Sequence, residues 1–136
     1  MTPEEMKRLV LRHVEREEHL DVEGTLATLV DHPVYEFYPI RLKLEGKENV
    51  RQFYEAHFAQ FFPMIASHKA VSETWIPDRA FLEYDVKLQD DPSKTYRILV
   101  VLNAADSRLL GEKFFGEDKL AKLMCGPAFD RLSPMN

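Results

Sequence analysis

The chain changes its hydrophobic period at Pro63, and this change limits the possible folds more than any other feature. Before Pro63, apolar residues recur at the three- and four-residue spacing of a helix face, as in Met6, Leu9 and Val10. After it they alternate with polar residues, as in strands that bury one face. Strands are predicted over about 65–76, 79–89, 95–103 and 108–116. Helices followed by strands predict an α+β domain with helices packed on one face of a sheet.

Three helices are predicted in the first part of the chain. Thr2 and Glu5 form a capping box for the first helix. Asp21 is suited to cap a short second helix, and a third should begin near Gly46 and end before Pro63. Three polar ring side chains lie within the apolar faces of these helices: His13, Tyr54 and His57.

Length and charge exclude several classes of function. A chain of 136 residues suits one domain, with a core over about 2–124 and a C-terminal tail at 125–136. The net charge of −5 and the lack of a basic run argue against a nucleic-acid partner, and no apolar run is long enough for a membrane span. The single Cys125 cannot close an internal disulfide, which fits a cytoplasmic protein. No metal-ligand spacing or phosphate-binding loop stands out, so we expect neither a metal nor a cofactor.

The stretch "FLEYDVKL" leaves the position of two carboxylates open. Glu83 and Asp85 share one face of the predicted strand, opposite Tyr84 and Val86. Pattern alone favours a solvated face, because Glu and Asp are rarely buried. The alternative is that both point into a site.

The stretch "YRILVVLN" is apolar at nearly every position, which is typical of a strand that is covered on both faces. One face would meet the helices. We expect the other to meet a second copy of the chain, so a homodimer through the sheet is predicted.

Several segments resemble a known superfamily: "TPEEMKRLVLRHV", "LDVEGTLATLVD", "YEFYPIRLKLEGKENVRQFYEAHF" and "SRLLGEKFFGEDKL". They are similar to the nuclear-transport-factor-2-like superfamily, and within it to the SnoaL-like and steroid Δ-isomerase-like branches. The resemblance implies a cone-shaped barrel of three N-terminal helices packed on a strongly curved, mostly antiparallel sheet. It also implies a deep apolar pocket. Such folds host isomerases, polyketide cyclases, epoxide hydrolases, dehydratases and binding domains, so the fold does not fix the function.

The catalytic positions of ketosteroid isomerase are largely changed. His13 stands where that enzyme has an oxyanion-donating tyrosine, Tyr38 where it has its general base, and Ile98 where it has a protonated aspartic acid. A supporting tyrosine is retained as Tyr54. Isomerisation by that route is therefore not implied.

Limonene epoxide hydrolase gives a second comparison. Its middle-strand aspartate matches Asp85, while Glu83 replaces its arginine and Lys113 its second aspartate. A tyrosine of its first strand matches Tyr35. A shift of one residue in the strand register would reverse the facing of these side chains.

Together these matches predict a cofactor-independent enzyme that uses general acid/base chemistry on a small hydrophobic molecule, of steroid, terpenoid or polyketide type. Asp85 would be the general base, with Glu83 and Lys113 adjusting its pKa, and His13 would polarise a substrate oxygen. The predicted pocket residues are Tyr35, Tyr38, Tyr54, His57, Phe58, Ile98 and Phe115. At most one of the tyrosines at 35 and 38 needs to face the pocket. Two alternatives stay open: a non-catalytic ligand-binding module, and a dimerisation domain whose cavity is filled by its own aromatic side chains.

Overall fold

The computed structural model describes residues 1–135 as an α+β fold. The helices are α1 (Pro3–Glu18), α2 (Val22–Ala27), α3 (Lys47–Ala56) and α4 (Asp118–Cys125). The strands are β1 (Leu29–Tyr38), β2 (Leu42–Glu45), β3 (Ile65–Ile76), β4 (Arg79–Leu88), β5 (Asp91–Ala105), β6 (Arg108–Phe115) and β7 (Ser133–Pro134). A π-helical turn at His57–Phe61 and a 3₁₀ turn at Phe62–Met64 continue α3 to the start of β3. The predicted helix starts and the four long strands are confirmed to within a few residues.

The seven strands form one curved, unclosed sheet in the order β3-β4-β5-β6-β1-β2-β7. All neighbours are antiparallel except β1 and β6, which are parallel. The first three helices pack on one side of the sheet, which we call the inner face; the opposite side is the outer face. The predicted architecture of helices on a mostly antiparallel sheet is confirmed.

Aromatic rings fill most of the space between α3 and the inner face. Tyr35 and Phe37 of β1 contact Phe53 of α3, with ring centroids 5.6 and 6.1 Å apart. Phe114 of β6 stacks on Phe37 with a centroid separation of 5.1 Å. Tyr35, Phe37 and Phe53 are fully buried, so these rings form the centre of the core.

A glycine bulge decides which side chains of β6 face inward. Gly111 has φ +138°, and a Cβ at this position would lie 1.8 Å from the carbonyl oxygen of Val34. The pairing of β6 with both neighbouring strands shifts register beside it. Strict alternation from the buried Leu109 would turn Lys113 inward, but the bulge adds one residue and turns Glu112 inward instead.

The C-terminal segment packs on the body of the protein, so the predicted tail at 125–136 is wrong over the described residues. Cys125 and Ala128 are buried, and β7 pairs with β2. The amphipathic face of α4, with Leu120 and Met124 buried, explains this packing. Over residues 1–135, no helix combines the length and the apolar character that crossing a membrane requires.

Candidate functional site

The predicted catalytic carboxylates lie on the outer face of the sheet. Glu83 and Asp85 both pair with Arg97 of β5, at 3.0 Å for Glu83 Oε2 to Nη1 and 3.2 Å for Asp85 Oδ2 to Nη2. The Arg97 side chain is 52% exposed. Its hydrogen bonds hold the pKa of Asp85 below the usual range, so Asp85 is an ordinary ionised surface carboxylate. The inward facing predicted for this pair is wrong, because Ala80 and Val86 occupy the inner positions of the same alternation.

Three further predicted site residues also lie on the outer face. The Lys113 side chain is 41% exposed, and its Nζ lies 3.6 Å from the carboxylate of Glu36. Lys113 therefore pairs with Glu36 and not with Asp85. Tyr38 stacks on Phe115 with a centroid separation of 4.7 Å, and its hydroxyl donates to Glu36 at 3.2 Å. The predicted inward facing of Lys113 and Phe115 is therefore wrong as well, and of the two β1 tyrosines it is Tyr35, not Tyr38, that faces inward.

A different set of polar side chains meets on the inner face. It consists of His13 and Glu17 from α1, Tyr35 from β1, Tyr54 from α3 and Glu112 from β6, and we call it the buried polar cluster. His13 Nε2 lies 3.2 Å from Glu112 Oε2 and 3.7 Å from Glu17 Oε2. His13, Tyr35 and Tyr54 are fully buried, Glu112 is 6% exposed, and the Glu17 side chain is 19% exposed. The cluster is thus closed to solvent except at Glu17.

The hydrogen bonds around His13 fix its protonation. The hydroxyl of Thr28 donates to the carbonyl oxygen of Thr25 at 2.6 Å, so it must accept from His13 Nδ1, 2.7 Å away. Nε2 faces the carboxylate of Glu112, which is also an acceptor. Both ring nitrogens therefore face an acceptor, which favours an imidazolium at His13 beside the Glu112 carboxylate.

The two buried tyrosines complete the cluster. Tyr54 donates its hydroxyl hydrogen to Glu112 at 2.9 Å and accepts from the hydroxyl of Tyr35. Glu112 is thereby held by Tyr54 and His13 together. All buried side-chain nitrogen and oxygen atoms in residues 1–135 have a hydrogen-bond partner, so the cluster is fully satisfied.

The two carboxylates of the cluster have pKa values that are shifted in opposite directions. Burial raises the pKa of Glu17 to about 7; His13 opposes this shift and Glu112 adds to it. For Glu112, burial would also raise the pKa, but hydrogen bonds from His13 and Tyr54 lower it below its ordinary value. Burial would lower the pKa of His13, yet Glu17 and Glu112 outweigh it and the pKa is raised. Near neutral pH Glu17 is therefore poised between its two forms, while the shifts of Glu112 and His13 both favour their charged forms.

The remaining predicted pocket residues belong to the core. His57 donates from Nδ1 to the carbonyl oxygen of Met124 at 3.0 Å, and burial lowers its pKa to about 4, so it is neutral. Phe58 is buried against Tyr54, and Ile98 borders a cleft of only about 10 Å³ beneath α4. A larger concavity of about 730 Å³ lies on the outer face, around Val34, Leu110 and the β3–β4 turn. The deep apolar pocket expected from the resemblance is therefore not confirmed.

Comparisons with known proteins identify the fold. No protein-family model and no curated protein matches the chain. Solved structures do match: an NTF2-like protein of unknown function from Mesorhizobium loti has 15% identity and a TM-score of 0.70, over 84% of this chain and 92% of that one. A Kribbella flavida protein proposed to be a ketosteroid isomerase has 15% identity and a TM-score of 0.71, over 87% and 82%. A de novo designed protein with a curved β-sheet has 14% identity and a TM-score of 0.73, over 96% and 99%. The chain has the NTF2-like fold.

Sequence reasoning missed two carboxylates of this NTF2-like domain. Glu17 follows His13 by four residues, a spacing that places both on one helix face, and this signal was present. Glu112 was hidden by the bulge at Gly111, which moves it by one position relative to simple alternation. A one-residue uncertainty in the strand register therefore decided whether Glu112 could be predicted to face inward.

The buried polar cluster also contains three side chains of the kinds that bind metal ions, one histidine and two glutamates. One ligand atom each from His13, Glu17 and Glu112 lie within 4.8 Å of one another, so the three side chains are close enough to hold a divalent ion. Their positions are already explained by the hydrogen bonds to Thr28 and Tyr54. Glu17 is the member of the cluster whose side chain keeps the largest contact with solvent.

Proposed function

We propose that this NTF2-like domain is a cofactor-independent enzyme that moves protons on a small apolar molecule, with Glu17 as the proton-transferring group. The observation that carries the proposal is the position of Glu17: its carboxyl remains partly exposed while it lies against a buried ion pair. Isomerisation, hydrolysis and cyclisation are the reaction types in which such a group suffices.

The roles of the cluster residues follow from their charges. A general base or acid is most effective when its pKa is near the working pH, and burial brings the pKa of Glu17 to about 7. Glu112 opposes ionisation of Glu17 through its negative charge, and His13 favours it. The hydrogen bonds from Tyr54 and to Thr28 hold this pair in place. Glu17 would take a proton from the substrate and return it elsewhere on the same molecule.

The proposal is tested with 2-tetralone, a small apolar ketone whose C1 protons exchange with solvent when a base removes them. We expect the wild-type protein to accelerate deuterium incorporation in D₂O near neutral pD, followed by ¹H NMR. Glu17→Gln should reduce the protein-dependent rate by about a hundredfold or more, because general acid/base catalysis contributes on this scale.

The matched control is Asp85→Asn, which changes a carboxylate on the outer face and should leave the exchange rate unchanged. A rate that survives Glu17→Gln, or one that is lost in Asp85→Asn, would contradict the proposal. Circular dichroism of each variant checks that folding is retained.

A second candidate function is dimerisation through the outer face, favoured by the apolar side chains exposed there. Leu110 is 44% exposed and Phe115 37% exposed, and Leu99 and Val101 of β5 are half-buried on the same face. The filled interior also fits a domain that works through its surface. We expect a light-scattering mass of two 15.9 kDa chains, reduced to one by Leu110→Asp. A monomeric wild-type protein at micromolar concentration would exclude this interface.

A further inference from the structure

The concavity on the outer face lies over the glycine bulge of β6. Four residues that line it are directly opposite one another in neighbouring strands and form one row across the sheet, which we call the outer row: Arg79, Asn103, Gly111 and Val34. Neighbouring strands lie about 4.8 Å apart, so Arg79 and Val34 are about 14 Å apart along the sheet. Gly111 has no side chain and leaves a hollow in the middle of the row. The bulge that turns Glu112 inward therefore also opens the outer surface.

The two ends of the outer row differ in polarity. At one end, Arg79 donates from Nε to Oδ1 of Asn103 at 2.6 Å, which positions its guanidinium. At the other end, Val34 is half-buried and Leu110 is 44% exposed in the same concavity. A volume of about 730 Å³ is within the size range of small-molecule sites. The concavity thus combines a cation at one end with apolar surface at the other.

The surface carboxylates that line the concavity already have cationic partners. Asp78 Oδ1 lies 2.6 Å from the amino group of Met1, and the carboxylate of Glu36 lies 3.6 Å from Nζ of Lys113. Arg79 differs: over residues 1–135, the only side-chain partner of its guanidinium is a neutral amide. Its charge is therefore not offset by a neighbouring carboxylate, and its two Nη groups can bind an anion.

We infer that the outer concavity binds a small amphiphilic anion: a straight-chain carboxylate whose head group pairs with Arg79 and whose hydrocarbon chain crosses the hollow over Gly111 to Val34. The planar guanidinium can offer two parallel hydrogen bonds to the two carboxylate oxygens. An extended chain fits because the cation and the apolar end are about three strand spacings apart. This site lies on the opposite side of the sheet from the buried polar cluster and does not depend on the proposed role of Glu17.

The experiment compares octanoate with 1-octanol, which has the same hydrocarbon chain without the charge. Titration followed by ¹H–¹⁵N correlation NMR gives both the affinity and the place of binding. We expect octanoate to shift the amide signals of Asn103, Gly111 and Val34. Arg79→Gln should weaken octanoate binding by about three- to fivefold, the effect of an exposed ion pair, and leave 1-octanol binding unchanged.

Two further variants control for charge and for apolar contact. Arg97→Gln changes another arginine of the outer face, one that is already paired with Glu83 and Asp85, and should bind both probes as the wild type does. Val34→Thr places a hydroxyl at the apolar end of the row. It should weaken octanoate and 1-octanol binding to the same extent, because both probes place hydrocarbon there.

Three results would overturn the inference: no shift of the outer-row amide signals with octanoate, equal octanoate affinity of Arg79→Gln and wild type, or an equal loss of affinity in Arg97→Gln. Outer-row signals that move with protein concentration but not with octanoate would identify a second copy of the chain as the occupant, and would reject the inference too. Glu17→Gln should bind octanoate as the wild type does, so the outcome of the exchange assay does not decide this site.

Discussion

The two faces of the sheet carry charged clusters of similar composition in opposite environments. On the inner face, His13 lies between Glu17 and Glu112, and the histidine is fully buried. On the outer face, Arg97 lies between Glu83 and Asp85, and its side chain is 52% exposed. Each cluster has one cation and two carboxylates.

The two clusters differ in their exposure to solvent, and this difference sets the pKa values of their carboxylates. Around Arg97 water screens the charges, and the pKa of Asp85 is simply lowered by its hydrogen-bonded cation. Around His13 burial pushes the carboxylate pKa values apart, raising that of Glu17 to about 7 and leaving that of Glu112 below its ordinary value. Carboxylates beside a cation therefore form an ordinary surface ion pair on one face and, on the other, a buried cluster in which the pKa of Glu17 is about 7.

The largest expected effect on stability comes from disturbing the bulge that turns Glu112 to the inner face. Gly111→Ala places a Cβ against the carbonyl oxygen of Val34 at a φ of +138°. We expect a loss of about 4 kcal/mol in the free energy of unfolding, measured by urea denaturation. Gly116→Ala is the control, because a Cβ there would meet its nearest atom at an ordinary 3.8 Å. Similar losses for both variants would show that the bulge is not constrained.

Removing one carboxylate charge from each cluster should cost different amounts of unfolding free energy on the two faces. Glu112→Gln leaves the buried imidazolium of His13 with only Glu17 to offset it. The expected loss in unfolding free energy is about 3 kcal/mol, at the low end for a broken buried ion pair. Asp85→Asn on the outer face should cost far less, since Arg97 remains hydrated. If both substitutions cost the same, burial does not distinguish the clusters.

Two buried sites should set the pH dependence of stability: Glu17 with His13, and His57. The folded protein holds a proton on Glu17 up to about pH 7, whereas the unfolded chain releases it near 4.5, so stability falls as the pH rises through this window. His13, with a raised pKa, adds stability that is full below about pH 6.5 and is lost as the pH rises further. His57 acts in the opposite direction, because its pKa of about 4 in the folded protein lies below its ordinary value of 6.5, so its contribution to stability rises with pH up to about 6.5. The contribution of Glu17 is therefore measured as the difference between the wild type and Glu17→Gln in urea unfolding at pH 5 and pH 8, and it should be roughly 1 to 3 kcal/mol.

Relative to the wild type, Glu17→Gln should therefore gain stability between pH 5 and pH 8, and Asp85→Asn should follow the wild type. Equal changes of stability between pH 5 and pH 8 in the wild type and in Glu17→Gln would contradict the raised pKa of Glu17.

The smallest expected effect concerns the hydroxyl groups. Tyr54→Phe removes the hydrogen bond to Glu112 in the buried cluster, and we expect a loss of about 1 kcal/mol in unfolding free energy. Tyr38→Phe removes the hydrogen bond to Glu36 on the outer face and should change stability less. Thermal unfolding of the two variants side by side measures the difference; equal midpoints would mean that the tyrosine bonds are equivalent.

The candidate site could be predicted only in part. His13 and Tyr54 were placed correctly on the inner side, because helical stripes and resemblance both marked these positions, whereas the choice between Tyr35 and Tyr38 stayed open in the sequence. Asp85 was misplaced although its strand was predicted almost to the residue, since resemblance at low identity does not fix the face of a strand.

By itself the sequence determined most elements of this protein: capping residues and the 3.6-residue period define the first three helices, and alternation defines the four long strands. These are local properties, and each can be identified within a few residues of chain. Only the tertiary structure decided that Glu112 faces His13 and Lys113 does not. That choice depends on the close approach of Gly111 to Val34, two residues 77 positions apart in the chain. The pKa of Glu17 has the same origin, because burial and the charges of distant residues set it, and no local pattern contains them.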